Sequence, residues 1–136
     1  MDRISEAERE PAAVAEGVYL ADLAAGERTS MKHWRIEPGA TLPTHRHDNE
    51  QIGYVISGAL VARVGEGTDA EEYRLEPGDS YVLPSDERHG AENRGDEPAT
   101  GVGILSPPRG DPDWKQSTSA RAEAQSPDGT SAESDD

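Results

Sequence analysis

Three histidines and one glutamine are the residues whose type and spacing favour metal chemistry in this chain. His45 and His47 lie two residues apart, so on an extended strand their imidazoles project from the same face. Gln51 follows after a short link, and His89 must come from a distant strand. Imidazole nitrogens suit several transition metals, and three of them with one amide oxygen leave coordination positions for water or substrate. We therefore predict one divalent metal ion, with Zn, Ni, Fe, Mn and Cu all open.

Short β-compatible runs must position these ligands. The runs are 18–20, 31–36, 52–56, 60–64, 72–75, 80–83 and 101–105. Glycine and proline turns separate them, which predicts an antiparallel sandwich or barrel with little helix. The tripeptide Glu-Pro-Gly occurs at 37–39 and again at 76–78, each time before a histidine-bearing segment. We interpret this recurrence as one structural unit used twice, each Pro-Gly pair forming a tight turn.

The chain of 136 residues has room for one ordinary domain. We expect an N-terminal lead-in over 1–16, the β domain over 17–108 and an acidic disordered tail over 109–136. The tail carries almost no large apolar side chain except Trp114, so it cannot offset its own ordering entropy. The chain has no cysteine, which excludes disulfides and thiolate metal sites.

Charge excludes some partners. Asp and Glu outnumber Lys and Arg by 28 to 13, and the formal net charge of −15 repels nucleic acid. Such an acidic composition, with no phenylalanine and few lysines, resembles that of salt-adapted proteins. The N-terminus lacks the basic and apolar regions of a secretory signal, and no apolar run is long enough to span a bilayer. We therefore expect a cytoplasmic protein without membrane or nucleic-acid partners.

Two long spaced patterns frame the predicted ligands. The first resembles the cupin signature G-x5-H-x-H-x3-E-x6-G, with matches at Gly39, His45, His47 and Gly58. The second resembles its partner G-x5-P-x-G-x2-H-x3-N, with matches at Gly78, Pro84, His89 and Asn93. This resemblance implies an all-β double-stranded β-helix, the cupin or jelly-roll barrel, over 17–108. Small cupins commonly pair through their sheets, so it also implies a homodimer.

The chain departs from these signatures at two positions. Gln51 stands in place of the glutamate ligand; it keeps an oxygen donor and removes a negative charge, which leaves a bound dication a better Lewis acid. Glu50 is the rival ligand, but a neighbouring position on a strand faces the opposite way. Asp86 replaces a glycine, and aspartate tolerates left-handed backbone better than most residues.

A closer resemblance concerns the segments 50–58 (EQIGYVISG) and 105–111 (LSPPRGD). They are similar to small cupins of pectin and alginate degradation, which open the ring of 4,5-unsaturated uronates and hold their metal with three histidines and a glutamine. The resemblance implies that Arg109 meets a substrate carboxylate, the alternative being a surface role. Tyr54 could donate a hydrogen bond into the pocket or simply pack.

One difference concerns the last strand. Gly103 stands where the ring-opening cupins carry an acidic residue important for catalysis. Gly101 and Gly103 share one strand face, so we expect them to hollow the pocket for a bulkier ligand.

The function predicted from these observations is that of a metal-dependent enzyme acting on a small oxygenated acid such as an unsaturated uronate. The chemistry would be of ring-opening, isomerase or lyase type. Two alternatives stay open: a dioxygenase using iron, nickel or copper, and a cupin that only binds a metal or small ligand.

Overall fold

The computed structural model describes residues 1–108, so the expectations for Arg109, Trp114 and the tail lie outside the described residues. Within this range the chain forms ten β-strands and two short 3-10 turns, Glu6–Glu8 and Gly67–Asp69. No helix in the described range is long and apolar enough to cross a membrane. The predicted all-β double-stranded β-helix is confirmed.

Two antiparallel sheets face each other. The larger has the strand order β1-β2-β3-β10-β5-β8, formed by β1 (Ala12–Ala15), β2 (Val18–Ala25), β3 (Ser30–Ile36), β10 (Ala99–Ser106), β5 (Glu50–Ser57) and β8 (Ser80–Leu83). The smaller has the order β4-β9-β6-β7, formed by β4 (Thr41–His45), β9 (His89–Glu92), β6 (Leu60–Val64) and β7 (Glu71–Leu75).

All seven β-compatible runs lie in strands, and three further strands were not predicted. Strand β1 consists of small, largely exposed residues inside the expected lead-in. Strands β4 and β9 are short and contain Pro43 and Gly90, residue types that weaken a strand pattern. These two strands pair with each other, so long-range pairing compensates for their weak local preference.

The repeated Glu-Pro-Gly segments form the same turn twice. In each, the residue after glycine donates its backbone N–H to the glutamate carbonyl: Ala40 to Glu37 at 3.0 Å and Asp79 to Glu76 at 2.9 Å. Both glycines have positive φ, 82° and 94°, which the turn requires of its third residue. The glycine N–H then donates to a carbonyl of a neighbouring segment, that of Asn93 for Gly39 and that of Val55 for Gly78. The predicted use of one structural unit twice is confirmed.

Asn93 joins the two motif segments from a fully buried position. Its side-chain amide donates to the carbonyls of Ile36 at 3.0 Å and Glu97 at 2.7 Å, and its oxygen accepts from the Gly95 N–H at 2.9 Å. Its backbone carbonyl accepts from the Gly39 N–H at 2.8 Å. A buried amide with these groups satisfied fixes the turns on both sides of the site.

The interior combines a packed core with an open space. The core cluster contains Val18, Trp34, Ile36, Val55, Leu60 and Ala99. We expected Gly101 and Gly103 to hollow the pocket. This was wrong for Gly101, which does not line the cavity, whereas Gly103 does line it. The Trp34 ring lies where a side chain on Gly101 would be, and the Gln51 amide lies over Gly103.

This packing should make the stability of the protein sensitive to substitution of Gly101. In Gly101→Ala the new methyl group would overlap the Trp34 ring and approach the Tyr54 carbonyl oxygen to 2.5 Å. Overpacking should lower the free energy of unfolding by about 1–3 kcal/mol. Gly26→Ala is the matched control, because nothing lies within 4 Å of its added methyl and its φ is not positive. Urea denaturation followed by tryptophan fluorescence measures both, and equal stability of the two variants would contradict the packing described.

Candidate metal centre

The structure brings the three histidines together. His45 ends β4, His89 begins β9, and the two residues are direct partners in the β4–β9 ladder. One nitrogen from each of His45, His47 and His89 lies within 4.8 Å of the others. The ring centroids of His45 and His89 are 4.5 Å apart, and that of His47 lies 5.0 Å from His89. Three imidazoles at this spacing can bind one ion.

The backbone orients all three rings in the same way. Each Nδ1 lies within hydrogen-bond distance of a carbonyl two residues away in sequence. The acceptors are Pro43 for His45 at 2.8 Å, Asn49 for His47 at 3.2 Å and Glu87 for His89 at 3.0 Å. Because a carbonyl can only accept, each Nδ1 carries a hydrogen, and in the neutral form of such a ring the lone pair lies on Nε2. Neutral imidazoles held through the opposite nitrogen are the form that metal sites use.

A loop rather than a strand delivers His47. Strand β4 ends at His45, so the expectation that both histidines share one extended strand was wrong. The buried His47 is held because its carbonyl accepts from the Asp86 N–H at 2.8 Å, while the Ser85 hydroxyl donates to the Asp48 carbonyl at 3.0 Å. Asp86 has φ of 65°, which confirms that it adopts the left-handed backbone expected of the missing glycine.

Gln51 faces the interior, whereas Glu50 is exposed and lies outside the histidine group. The Gln51 Nε2 lies 2.9 Å from where a side chain on Gly103 would begin. The same amide is close enough to donate to the Tyr81 hydroxyl. An amide that donates through its nitrogen leaves Oε1 for another partner. This arrangement favours Gln51 over Glu50 as the fourth ligand.

Tyr81 is a site residue that the sequence did not reveal. Its ring and hydroxyl lie directly over Gly53, so an alanine there would overlap them. Burial raises the pKa of Tyr81, and the donors of Trp34 and Gln51 lower it only in part, so the phenol is neutral near pH 7. The buried Trp34 N–H itself makes no hydrogen bond of good geometry. A glycine inside strand β5 was the available signal, since it marks a close approach.

A largely apolar cavity of about 420 Å³ lies between the sheets beside these groups. Its polar lining includes His45, His89, Gln51, Tyr81 and Lys32. Such a space matches a small-molecule site, with few polar groups on an apolar wall.

Tyr54 does not line this cavity. It lies on the outer face of β5 and is 48% exposed, because Gln51, Gly53 and Val55 take the inward positions of the alternating strand. The expectation that Tyr54 could donate a hydrogen bond into the pocket was therefore wrong. Arg109, the other suggested substrate contact, lies outside the described residues.

The family model described as "Cupin domain" matches residues 32–104, which is more than half of the chain and includes all four predicted ligands. The chain belongs to the cupin domain family. This cupin is similar to the structure of KdgF from Halomonas sp., with 28% identity and a TM-score of 0.69. The match covers 79% of this chain and 94% of that one.

Two curated relatives match shorter parts of this cupin. The tetracenomycin polyketide synthase protein TcmJ of Streptomyces glaucescens is 36% identical over 78 residues, 57% of this chain and 50% of that protein. The H2HPP isomerase of Bacillus subtilis is 37% identical over 71 residues, 52% of this chain and 28% of that protein. The chain therefore spans half or less of the length of these relatives.

The donor set fits a divalent cation. Imidazole nitrogens with tethered Nδ1 groups and an inward amide supply the borderline ligands that Zn, Ni, Fe, Mn and Cu share. The three histidines and Gln51 would hold the ion, and these donors do not select one metal.

Replacing a ligand should empty the centre. His45→Ala and His89→Ala should lose most bound metal, because each removes one of three converging imidazoles. Gln51→Glu should retain metal, since a carboxylate also offers an oxygen. Glu50→Ala is the matched control and should stay full. Elemental analysis of dialysed protein measures occupancy; a full site in His89→Ala, or an empty one only in Glu50→Ala, would contradict this ligand set.

Proposed function

We propose that this cupin is a metal-dependent enzyme acting on a small oxygenated acid such as a 4,5-unsaturated uronate, through ring-opening, isomerase or lyase chemistry. The observation that carries the proposal is the group of three backbone-tethered histidines beside a largely apolar cavity. The similarity to KdgF, over nearly the whole of that chain, and the resemblance of the segments 50–58 and 105–111 to the ring-opening cupins support this substrate class.

The polar groups of the cavity have distinct roles in such a reaction. A divalent ion, when bound, supplies Lewis-acid polarisation of a substrate oxygen. Opening a cyclic hemiacetal also needs a proton removed from a hydroxyl and one delivered to the ring oxygen. The neutral Tyr81 hydroxyl faces the cavity and can donate to such an oxygen. The apolar walls exclude water from the reacting bonds.

One observation favours a non-catalytic alternative. Gly103 lines the cavity at the position where the ring-opening cupins carry an acidic residue, so this chain lacks that carboxylate. A cupin that only binds a metal and a small ligand would not need it.

Turnover of an unsaturated uronate tests the proposal. Metal-loaded protein should remove the ultraviolet absorbance of the substrate double bond without consuming oxygen. His45→Ala should reduce the rate at least about a hundredfold, because the centre is lost. Absorbance and an oxygen electrode are read together, with chelator-treated protein as control. Oxygen uptake would favour the dioxygenase, and inactivity in both assays at full metal occupancy would favour a binding protein.

We also propose that the outer face of the larger sheet pairs two copies of the chain. Ile52, Tyr54 and Ile56 of β5 and Val82 of β8 are each about half exposed, and Ile52 pairs directly with Val82 across the two strands. Contiguous apolar side chains on a sheet face are typical of an interface. A second copy would remove this surface from water.

A charge in this face should separate the copies. Ile52→Glu should convert a dimer into a monomer, because a carboxylate buried at the interface has no partner. Val14→Glu is the matched control, an exposed aliphatic residue on β1 of the same sheet. Light scattering in high salt measures the mass. A wild-type monomer, or dissociation by Val14→Glu alone, would contradict this interface.

A further inference from the structure

A row of paired residues crosses the larger sheet next to the metal centre. The register joins one residue from each of five neighbouring strands: Asp22, Lys32, Gly103, Gly53 and Tyr81. The third and fourth positions are glycines. The row therefore has an ion pair at one end and a phenol at the other, with the Gln51 amide over Gly103 and the Tyr81 ring over Gly53.

Lys32 is the cationic residue of this row and lines the cavity together with Trp34 and Ile36 of the same strand face. Its Nζ lies 2.6 Å from Asp22 Oδ1, and both side chains are about one-fifth exposed. An ammonium has three hydrogens to donate, and the bond to Asp22 uses one of them. The ammonium can therefore bind a second anionic group.

The position of Lys32 differs from that of five arginines that also form ion pairs. Arg35, Arg63, Arg74, Arg88 and Arg94 form ion pairs while 39–67% exposed, and none of them lines the cavity. Lys32 is also the single lysine of residues 1–108. A partly buried ion pair adds little stability after its desolvation cost. Its placement beside a ligand cavity instead indicates recognition.

A cationic side chain in the cavity favours an anionic ligand against the negative charge of the whole chain. A net charge of −15 opposes entry of an anion, and Glu87 adds a carboxylate to the cavity wall. Lys32 lies one strand from Gly103, a spacing of about 5 Å, and the Gln51 amide covers Gly103. Lys32 also lines the same cavity as Gln51, His45 and His89, so a small ligand in it has access to both the ammonium and the metal centre.

We propose that Lys32, positioned by Asp22, binds the carboxylate of the ligand and sets the preference of the cavity for small acids. This inference rests on the proposed function, because it assigns the residue that recognises the acid group of the substrate. The oxygenated part of the same ligand would extend through the cavity toward the histidines. Asp22 is a positioning residue that also weakens the positive field of the ammonium.

Galacturonate and galactose form a matched pair of probes, since they differ only where a carboxylate replaces a hydroxymethyl group. We expect zinc-loaded protein at constant ionic strength to bind galacturonate more tightly, as measured by nuclear magnetic resonance titration. Lys32→Gln should weaken galacturonate binding at least about tenfold, because a charge-assisted hydrogen bond is lost. The same variant should leave galactose binding unchanged. Lys32→Arg should keep the preference for the acid.

Two further variants separate recognition from a structural role. Asp22→Asn keeps an oxygen acceptor beside Lys32 and removes the competing negative charge, so galacturonate binding should tighten. If the ion pair had only a structural role, its loss in this variant would weaken galacturonate binding instead. Arg35→Gln is the control, an exposed cation on the same strand paired with Glu37 at 2.6 Å. Arg35→Gln should change neither the affinity for galacturonate nor that for galactose.

Unchanged galacturonate binding in Lys32→Gln at full zinc occupancy would overturn the inference, as would a wild type without preference for the acid. Loss of the preference in Arg109→Gln but not in Lys32→Gln would also overturn it. Turnover is a separate readout. If acid binding depends on Lys32 but no turnover occurs, the proposed enzyme is rejected and this inference stands. If turnover occurs but binding does not depend on Lys32, the proposed enzyme stands and this inference is rejected.

Discussion

The antiparallel pairing of β4 with β9 is the interaction on which the rest of the site depends. It joins two segments more than forty positions apart in sequence and places His45 opposite His89. The strands approach so closely that a side chain on Gly90 would begin 2.8 Å from the Leu42 carbonyl oxygen. Neither strand has a strong local preference, so the pairing is maintained by the turns and by the buried Asn93 amide. Without it the imidazoles would belong to two separate loops.

Polar groups in the larger sheet impose a second constraint. The Gln51 amide, the Tyr81 phenol and the Trp34 indole lie on its inner face. A narrow sandwich has room for them only over strand positions that are occupied by glycine. Gly101 makes room for Trp34, Gly53 for Tyr81 and Gly103 for Gln51. The glycines thus position site residues and leave the cavity volume to the space between the sheets.

The sequence was informative where the signal was local or carried by a spaced motif. Alternating runs identified seven strands, and the two signatures identified the histidines that converge. Register across strands distant in sequence could not be deduced from one chain, which explains why Lys32 and Tyr81 were missed and why Gly101 was misread. The alternation of side chains along β5 also determines the direction of Tyr54, which faces outward because Gln51 faces inward.

The hydrogen bonds from the histidine Nδ1 atoms to backbone carbonyls determine when ordering entropy is lost. Because three rings are oriented by their own main chain, their rotamer freedom is given up during folding and not during ion capture. An incoming cation therefore meets a preformed set of donors and reorganises little. Such a rigid set rejects ions of unsuitable size through misfit of bond lengths, whereas a flexible set would adapt to each of them.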